Sequence, residues 1–233
     1  MNTFLNTLLL SAALLFSASQ VSAEPAMPNQ SAKGAMPAVA AHYLLKSGEQ
    51  QANWYLIRET DQVKTYNQTR QQGELWRRDA QGRIEHQRLF PADKKVVEYT
   101  QGQLITMKRL PEWEHVATLI DHHERDSLKK TGERQVLGQT AWVLEGKLHG
   151  ADTIIWWLPA LQLPARMETR VGALSSVMEL QSTYVQAPAA WNWFDSTITD
   201  QYDRIDASDF GDMESDPFVQ RLLAQEGHGH HHH

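Results

Sequence analysis

A chain of 233 residues with no cysteine, carrying 28 Asp and Glu against 22 Lys and Arg for a net charge of −6, forms no disulfides and depends on its own apolar core. The acidic balance argues against nucleic-acid binding and against attachment to anionic lipid by charge, because both need an excess of Lys and Arg. Eight Trp supply large amphipathic rings that suit curved sheets and ligand grooves.

Residues 1–23 read as a secretory signal peptide: a short apolar run, Leu8-Leu9-Leu10 through Leu14-Leu15-Phe16, then the small-residue cleavage site Val21-Ser22-Ala23. Cleavage there starts the mature chain at Glu24 and places it in a bacterial periplasm. No second apolar run is long enough to span a bilayer, so no transmembrane segment is expected. Without a cysteine to carry lipid, a soluble protein is expected rather than a lipoprotein. Residues 24–46 read as a loose N-terminus rich in Pro, Ala and Gly, with a short helix over 37–46 suggested by Val39, His42, Tyr43 and Leu44.

From Asn53 the apolar period becomes two. Strands are predicted over 54–59, 63–66, 74–78, 83–90, 95–99 and 103–107, joined by short polar or Gly-containing links such as Asp79-Ala80-Gln81-Gly82. This is the pattern of an antiparallel meander. The period then changes again. Pro111 opens a predicted helix to about Leu128, with Trp113, Val116, Ala117 and Ile120 on one side. A second strand block covers 135–137, 141–146, 153–158, 165–170 and 176–180. The last region holds an aromatic group (Trp191, Trp193, Phe194), an acidic stretch, and a short helix over 216–224 with Asp216 as N-cap and Pro217 at its first position.

Within the second block stand Val136-Leu137-Gly138-Gln139-Thr140-Ala141-Trp142-Val143-Leu144 and Trp156-Trp157-Leu158-Pro159-Ala160-Leu161-Gln162-Leu163-Pro164-Ala165-Arg166-Met167-Glu168. Together with the strand order, this resembles the LolA-like superfamily of periplasmic lipoprotein carriers and the related RseB sensor domains. The resemblance covers about 53–182 and implies an α+β fold, mostly antiparallel β. That fold is a strongly curved half-barrel sheet covered by one or two helices, with an apolar cavity for acyl chains. The expected organisation is therefore 1–23 signal peptide, 24–46 N-terminus, 47–226 one curved-sheet domain with an acidic C-terminal segment, and 227–233 a His-rich tail that departs from the carrier pattern.

Trp76, Ile84, Val97, Ile105, Trp142, Leu144, Ile155 and Trp157 stand at alternate positions of their predicted strands. They either line the concave face or form a filled core beneath the helix. Arg58, Glu59, Arg78 and Glu168 read as outward-facing strand residues. The tail residues His228, His230, His231, His232 and His233 read either as a natural tract for Zn, Ni or Cu or as an affinity tag. The run Asp121-His122-His123-Glu124 is dense in ligand atoms. On one straight helix, however, His115 and His122 stand two turns apart, too far for one metal ion. Asp200, Asp203, Asp206, Asp209, Asp212 and Glu214 lack the calcium-loop spacing and read as turn and cap residues.

No Gly-x-Ser-x-Gly elbow, Cys nucleophile, Walker loop or Gly-x-Gly-x-x-Gly occurs, so no enzyme is expected and no cofactor is required. The leading expectation is a periplasmic binding protein that holds a lipid, a lipoprotein acyl chain or another apolar ligand. The alternatives are metal handling through the tail, and an envelope sensor or assembly module with a protein partner.

Overall fold

The computed structural model describes residues 36–225. Twelve strands form one open sheet: β1 Val39–Ser47, β2 Gln50–Arg58, β3 Gln62–Asn67, β4 Gln72–Arg78, β5 Ile84–Phe90, β6 Lys95–Tyr99, β7 Lys129–Val136, β8 Gln139–Leu148, β9 Ala151–Leu158, β10 Leu163–Val171, β11 Leu174–Tyr184 and β12 Asp203–Asp206. Their order is β12-β6-β5-β4-β3-β2-β1-β11-β10-β9-β8-β7. Every pairing is antiparallel except β12 on β6. Three short helices, α1 Gln101–Thr106, α2 Trp113–Thr118 and α3 His122–Ser127, interrupt the meander between β6 and β7; α4 Ser196–Thr199, a 3-10 helix at Ala207–Gly211 and α5 Pro217–Gln225 follow β11. No described helix is long and apolar enough to cross a membrane.

The sheet is curled. Three strand spacings separate β2 from β10, about 14 Å on a flat sheet. Yet the Arg58 guanidinium on β2 donates to the Leu161 and Gln162 carbonyls in the turn before β10. Likewise Tyr43 on β1 donates through its hydroxyl to the Pro164 carbonyl on β10 at 3.0 Å. Only a sheet folded toward one face permits both contacts. One shift of register helps, between Pro164 and Arg166, where the strand bulges and turns its direction. The product is the expected α+β half-barrel, mostly antiparallel and not closed.

Three elements differ from the sequence reading. Residues 39–47 are strand β1, not helix, and lie mid-sheet between β2 and β11. Ala40, Ala41 and Tyr43 are fully buried, and a segment with burial on both faces loses the alternation that marks a strand. A domain beginning at residue 47 would exclude this central strand. Residues 101–106 are helix α1, not strand; the Thr100 hydroxyl accepts from the Gln103 N–H while the Gln103 side chain caps the Thr100 N–H. The single helix expected from Pro111 to Leu128 is two helices. Leu119 takes the left-handed conformation at φ 67° and ends α2, and Asp121 starts α3 with a second capping box to Glu124.

The two halves of the sheet are covered differently. Over β1 to β6 both faces are packed. On the concave face, Leu104, Trp113, Ala117, Phe210, Phe218, Val219 and Leu222 from the helices join Val39, Leu56, Val63, Trp76, Phe90 and Val97 in one core. On the convex face, the segment after β11 lays its aromatic rings across the strands. Trp193 stacks on Tyr66 at 4.3 Å and meets Tyr55 at 4.8 Å, and Trp191 meets Tyr55 edge-on. Gly73 lies under this layer, where an added Cβ would come within 2.7 Å of the Phe194 ring. Over β7 to β11 the concave face is covered by Ile120 and Leu128 flanking α3, while the convex aromatic layer reaches only the end of β11, where Trp191 meets Tyr184.

Candidate functional site

The concave face carries an apolar row that crosses six strands in register. The Cα partners run Ala52 to Leu45, Leu45 to Met178, Met178 to Met167, Met167 to Ile155, and Ile155 to Leu144. Residues opposite one another on paired strands point to the same face. At one end the row is roofed: Leu144 and Ile155 are buried with Trp157 beneath Ile120 and Leu128. In the middle the roof stops, and Leu45, Met167 and Met178 are only half-buried. Methionine and leucine offer flexible, polarizable contact to a chain of variable shape.

The eight residues predicted to line this face divide in three. Leu144, Ile155 and Trp157 lie in the roofed end of the row, and Trp142 packs half-buried beside them. Trp76, Ile84 and Val97 face the same way but belong to the filled core under α1, α2 and α5. Ile105 does not face the sheet. It sits on α1 and is 56% exposed, because the Thr100 cap converts that segment to a helix and turns the residue outward. The sequence reading missed Leu45, Met167 and Met178. Met167 does stand between charged neighbours, Arg166 and Glu168, a usable signal, whereas Met178 follows Val177 and Leu45 lay in the segment read as helix.

Arg58 is not an outward strand residue. It is 1% exposed and donates only to main-chain carbonyls: Pro37 at 3.1 Å, Ala117 at 2.8 Å, Gln162 at 3.1 Å and Leu161. Burial lowers its pKa to about 10 despite the opposing influence of Tyr43. It ties β2, the end of α2, the turn after β9 and the chain before β1 to one another. Arg78 lies with its guanidinium 4.7 Å from the centre of the Trp113 ring, so it too helps seat α2. Glu168 does lie on the convex face, in an ion ladder with Arg166 and Arg170 that continues through Glu179 to Lys46. Arg166 and Arg134 both pack on Trp156 there.

A polar group interrupts the concave face on β4 and β5. His86 stacks on Trp76 at 3.7 Å, and Glu74 accepts from Trp76 Nε1 at 3.2 Å and stands 3.5 Å from His86 Nε2. Burial alone would raise the Glu74 carboxyl, but its contacts with His86, Arg88 and Trp76 outweigh that and hold it at about 2.

The break between α2 and α3 creates a second cluster. Folding back at Leu119 brings Glu124 Oε2 to 3.1 Å from His115 Nδ1 and Glu114 to 2.6 Å from His122 Nδ1. From the β8–β9 turn, His149 Nε2 reaches Glu124 Oε1 at 2.6 Å. Burial tends to raise the Glu124 carboxyl, yet the hydrogen bonds from His115 and His149 hold it at about 2. The straight-helix spacing that separated these residues in sequence does not exist in the folded chain. The carboxylates of the acidic segment act as caps: Asp195, Asp206 and Asp216 each accept main-chain N–H groups at a helix start. The tail histidines His228 and His230–His233 and the signal-peptide segment lie outside the described residues.

A cleft of about 140 Å³ lies on the convex side, lined by Leu75, Leu89, Val96, Phe194 and Arg204 among others. It is smaller than the roughly 300–1,000 Å³ of ordinary small-molecule sites.

No protein-family profile and no curated protein matches the chain. Solved structures do. PNGF-II is 13% identical with a TM-score of 0.44, over 77% of this chain and 33% of that one. A chain of the Pseudomonas aeruginosa MucA/MucB complex is 14% identical with a TM-score of 0.38, over 65% and 56%. A LolA superfamily protein from Nitrosomonas europaea is 8% identical with a TM-score of 0.29, over 70% and 92%. The superfamily that the sequence resembles is among them. The chain spans a third of PNGF-II and just over half of the MucA/MucB chain. At such scores the likeness carries no ligand or partner to this protein.

Proposed function

We propose that this is a non-enzymatic binding protein of the bacterial periplasm that holds an acyl chain, free or borne by a lipoprotein, along the concave apolar row. One observation carries the reading: an in-register floor from Ala52 to Leu144 that is roofed at one end and half-open at Leu45, Met167 and Met178. An extended hydrocarbon laid across such a floor loses water contact at about 25 cal/mol per Å² of apolar surface. The strap formed by α2 and α3 closes over the roofed end and acts as the lid. Each helix has six residues, too few to be stable apart from its packing, so the strap is the part of the concave cover that most readily yields to a longer chain. The periplasmic location rests on the signal-peptide pattern of residues 1–23.

The test is native mass spectrometry of protein taken from periplasm without detergent, beside the Met178→Glu variant. Co-purifying lipid in the parent and its loss in the variant support the reading. Bare parent protein that also fails to take up a fluorescent fatty acid refutes it.

A further inference from the structure

We propose that His115, Asp121, Glu124 and His149 form a structural zinc site that clasps the α2–α3 strap to the β8–β9 hairpin. Ligand atoms of His115, Asp121 and Glu124 all lie within 4.8 Å of one another, and His149 meets Glu124 on the other carboxylate oxygen at 2.6 Å. Zinc takes nitrogen and oxygen ligands at about 2.0–2.2 Å in a tetrahedron, whose ligand-to-ligand edges are then about 3.3 Å. The 3.1 Å separation of His115 Nδ1 and Glu124 Oε2 is already near that edge. Asp121 Oδ1 is engaged by the Glu124 N–H at 2.8 Å, which leaves Oδ2 to face the ion.

The chemistry of the set is that of zinc rather than calcium or magnesium. Two imidazoles favour a borderline transition metal, while the hard ions prefer oxygen alone. Two carboxylates and two neutral imidazoles also cancel a dication, so the half-buried site gains no net charge. The Glu124 side chain is only 16% exposed. Four protein ligands leave no open position, which makes the site a fastening rather than a reaction centre. The ligands come from α2, the cap and first turn of α3, and a hairpin tip, three places that the hydrogen bonds of His115 and His149 to Glu124 already bring together. His149 itself sits in the left-handed region at φ 51° beside Gly150, in a tight turn that presents its ring toward the strap.

The inference does not depend on the acyl-chain reading. Its test is zinc titration of the metal-freed full chain, followed by calorimetry and by thermal unfolding, beside His115→Gln and His149→Gln. His149 is exposed in a turn, so its variant tests binding even if the His115 change unsettles the strap. All three proteins keep the C-terminal histidines, and binding there contributes equally to each. The expected result is one more zinc per chain in the parent than in either variant. Affinity at that site should fall by more than about tenfold in His149→Gln, and a zinc-dependent rise in melting temperature should appear in the parent alone. Cobalt in its place should give the intense visible absorption of four-coordinate geometry. Equal zinc uptake and equal melting shifts in all three proteins would overturn the inference.

Discussion

The β1–β6 half of the sheet and the β7–β11 half share one ladder of hydrogen bonds but are stabilised in opposite ways. The first is a three-layer structure with helices on the concave side, a blanket of Trp191, Trp193 and Phe194 on the convex side, and a capping strand on its edge. The second has a single roof of short helices, a convex face of ion ladders over Trp156, and an outer strand β7 exposed along nearly all its length. The apolar row crosses from the first half into the second, so its open stretch lies at the boundary, where the layers thin out.

The sharpest way to break this contrast is to cut the link between the halves. Arg58→Met should cost about 3–5 kcal/mol in urea unfolding, because it strips charged donors from four main-chain carbonyls and leaves buried ones unpaired. A loss below about 1 kcal/mol would mean that water replaces the guanidinium and the halves are less coupled than drawn. Next is Gly73→Ala, which pushes the Phe194 ring from its seat. The expected loss is about 1–3 kcal/mol, with the exchange of β3 and β4 amide protons accelerated and that of β9 and β10 unchanged. Uniform acceleration would show that the convex blanket supports the whole sheet.

Acid should distinguish the halves by a different route. Glu74 in the first and Glu124 in the second are both held at about 2, below the ordinary 4.5. A depressed carboxyl contributes stability that is complete above its unfolded value and disappears as pH falls through the folded one. Each half therefore weakens between about pH 4.5 and 2. In Glu124→Gln the acid-induced release of the strap, followed through Trp fluorescence and hydrogen exchange near α3, should be absent while that near β4 and β5 persists. Smallest of all, Arg166→Ala on the half-buried convex ladder should cost no more than about 1 kcal/mol and less in high salt. A larger, salt-independent loss would assign the energy to packing on Trp156 rather than to the ion pairs.

Much of the sheet was legible because its signals are local. Lys95–Tyr99 and the hairpin at Asp79 to Gly82 follow from alternation and turn chemistry alone. What escaped depends on burial or on partners distant in the chain. β1 reads as a helix because Ala40 and Ala41 are buried on opposite faces. The split between α2 and α3 was signalled by Asp121-x-x-Glu124, a capping box inside what looked like one continuous helix. Missing it hid the His115–Glu124 contact, since a straight helix places those groups on different faces. The apolar row was half visible: Leu144 and Ile155 could be named, but Leu45 and Met178 acquire their role only from register across strands more than a hundred residues apart in sequence, a separation like that of the Lys46–Glu179 pair, 133 residues.

The parallel strand β12 has a bearing on how the chain is made. Arg204 on β12 contacts Glu98 across 106 residues, and among the described residues no earlier strand pairs with that side of β6. Synthesis runs from the N-terminus, so the first half spends most of its emergence with an unprotected margin able to recruit strands from other molecules. Chains halted before Asp203 should clump, and a chaperone would matter most during that interval.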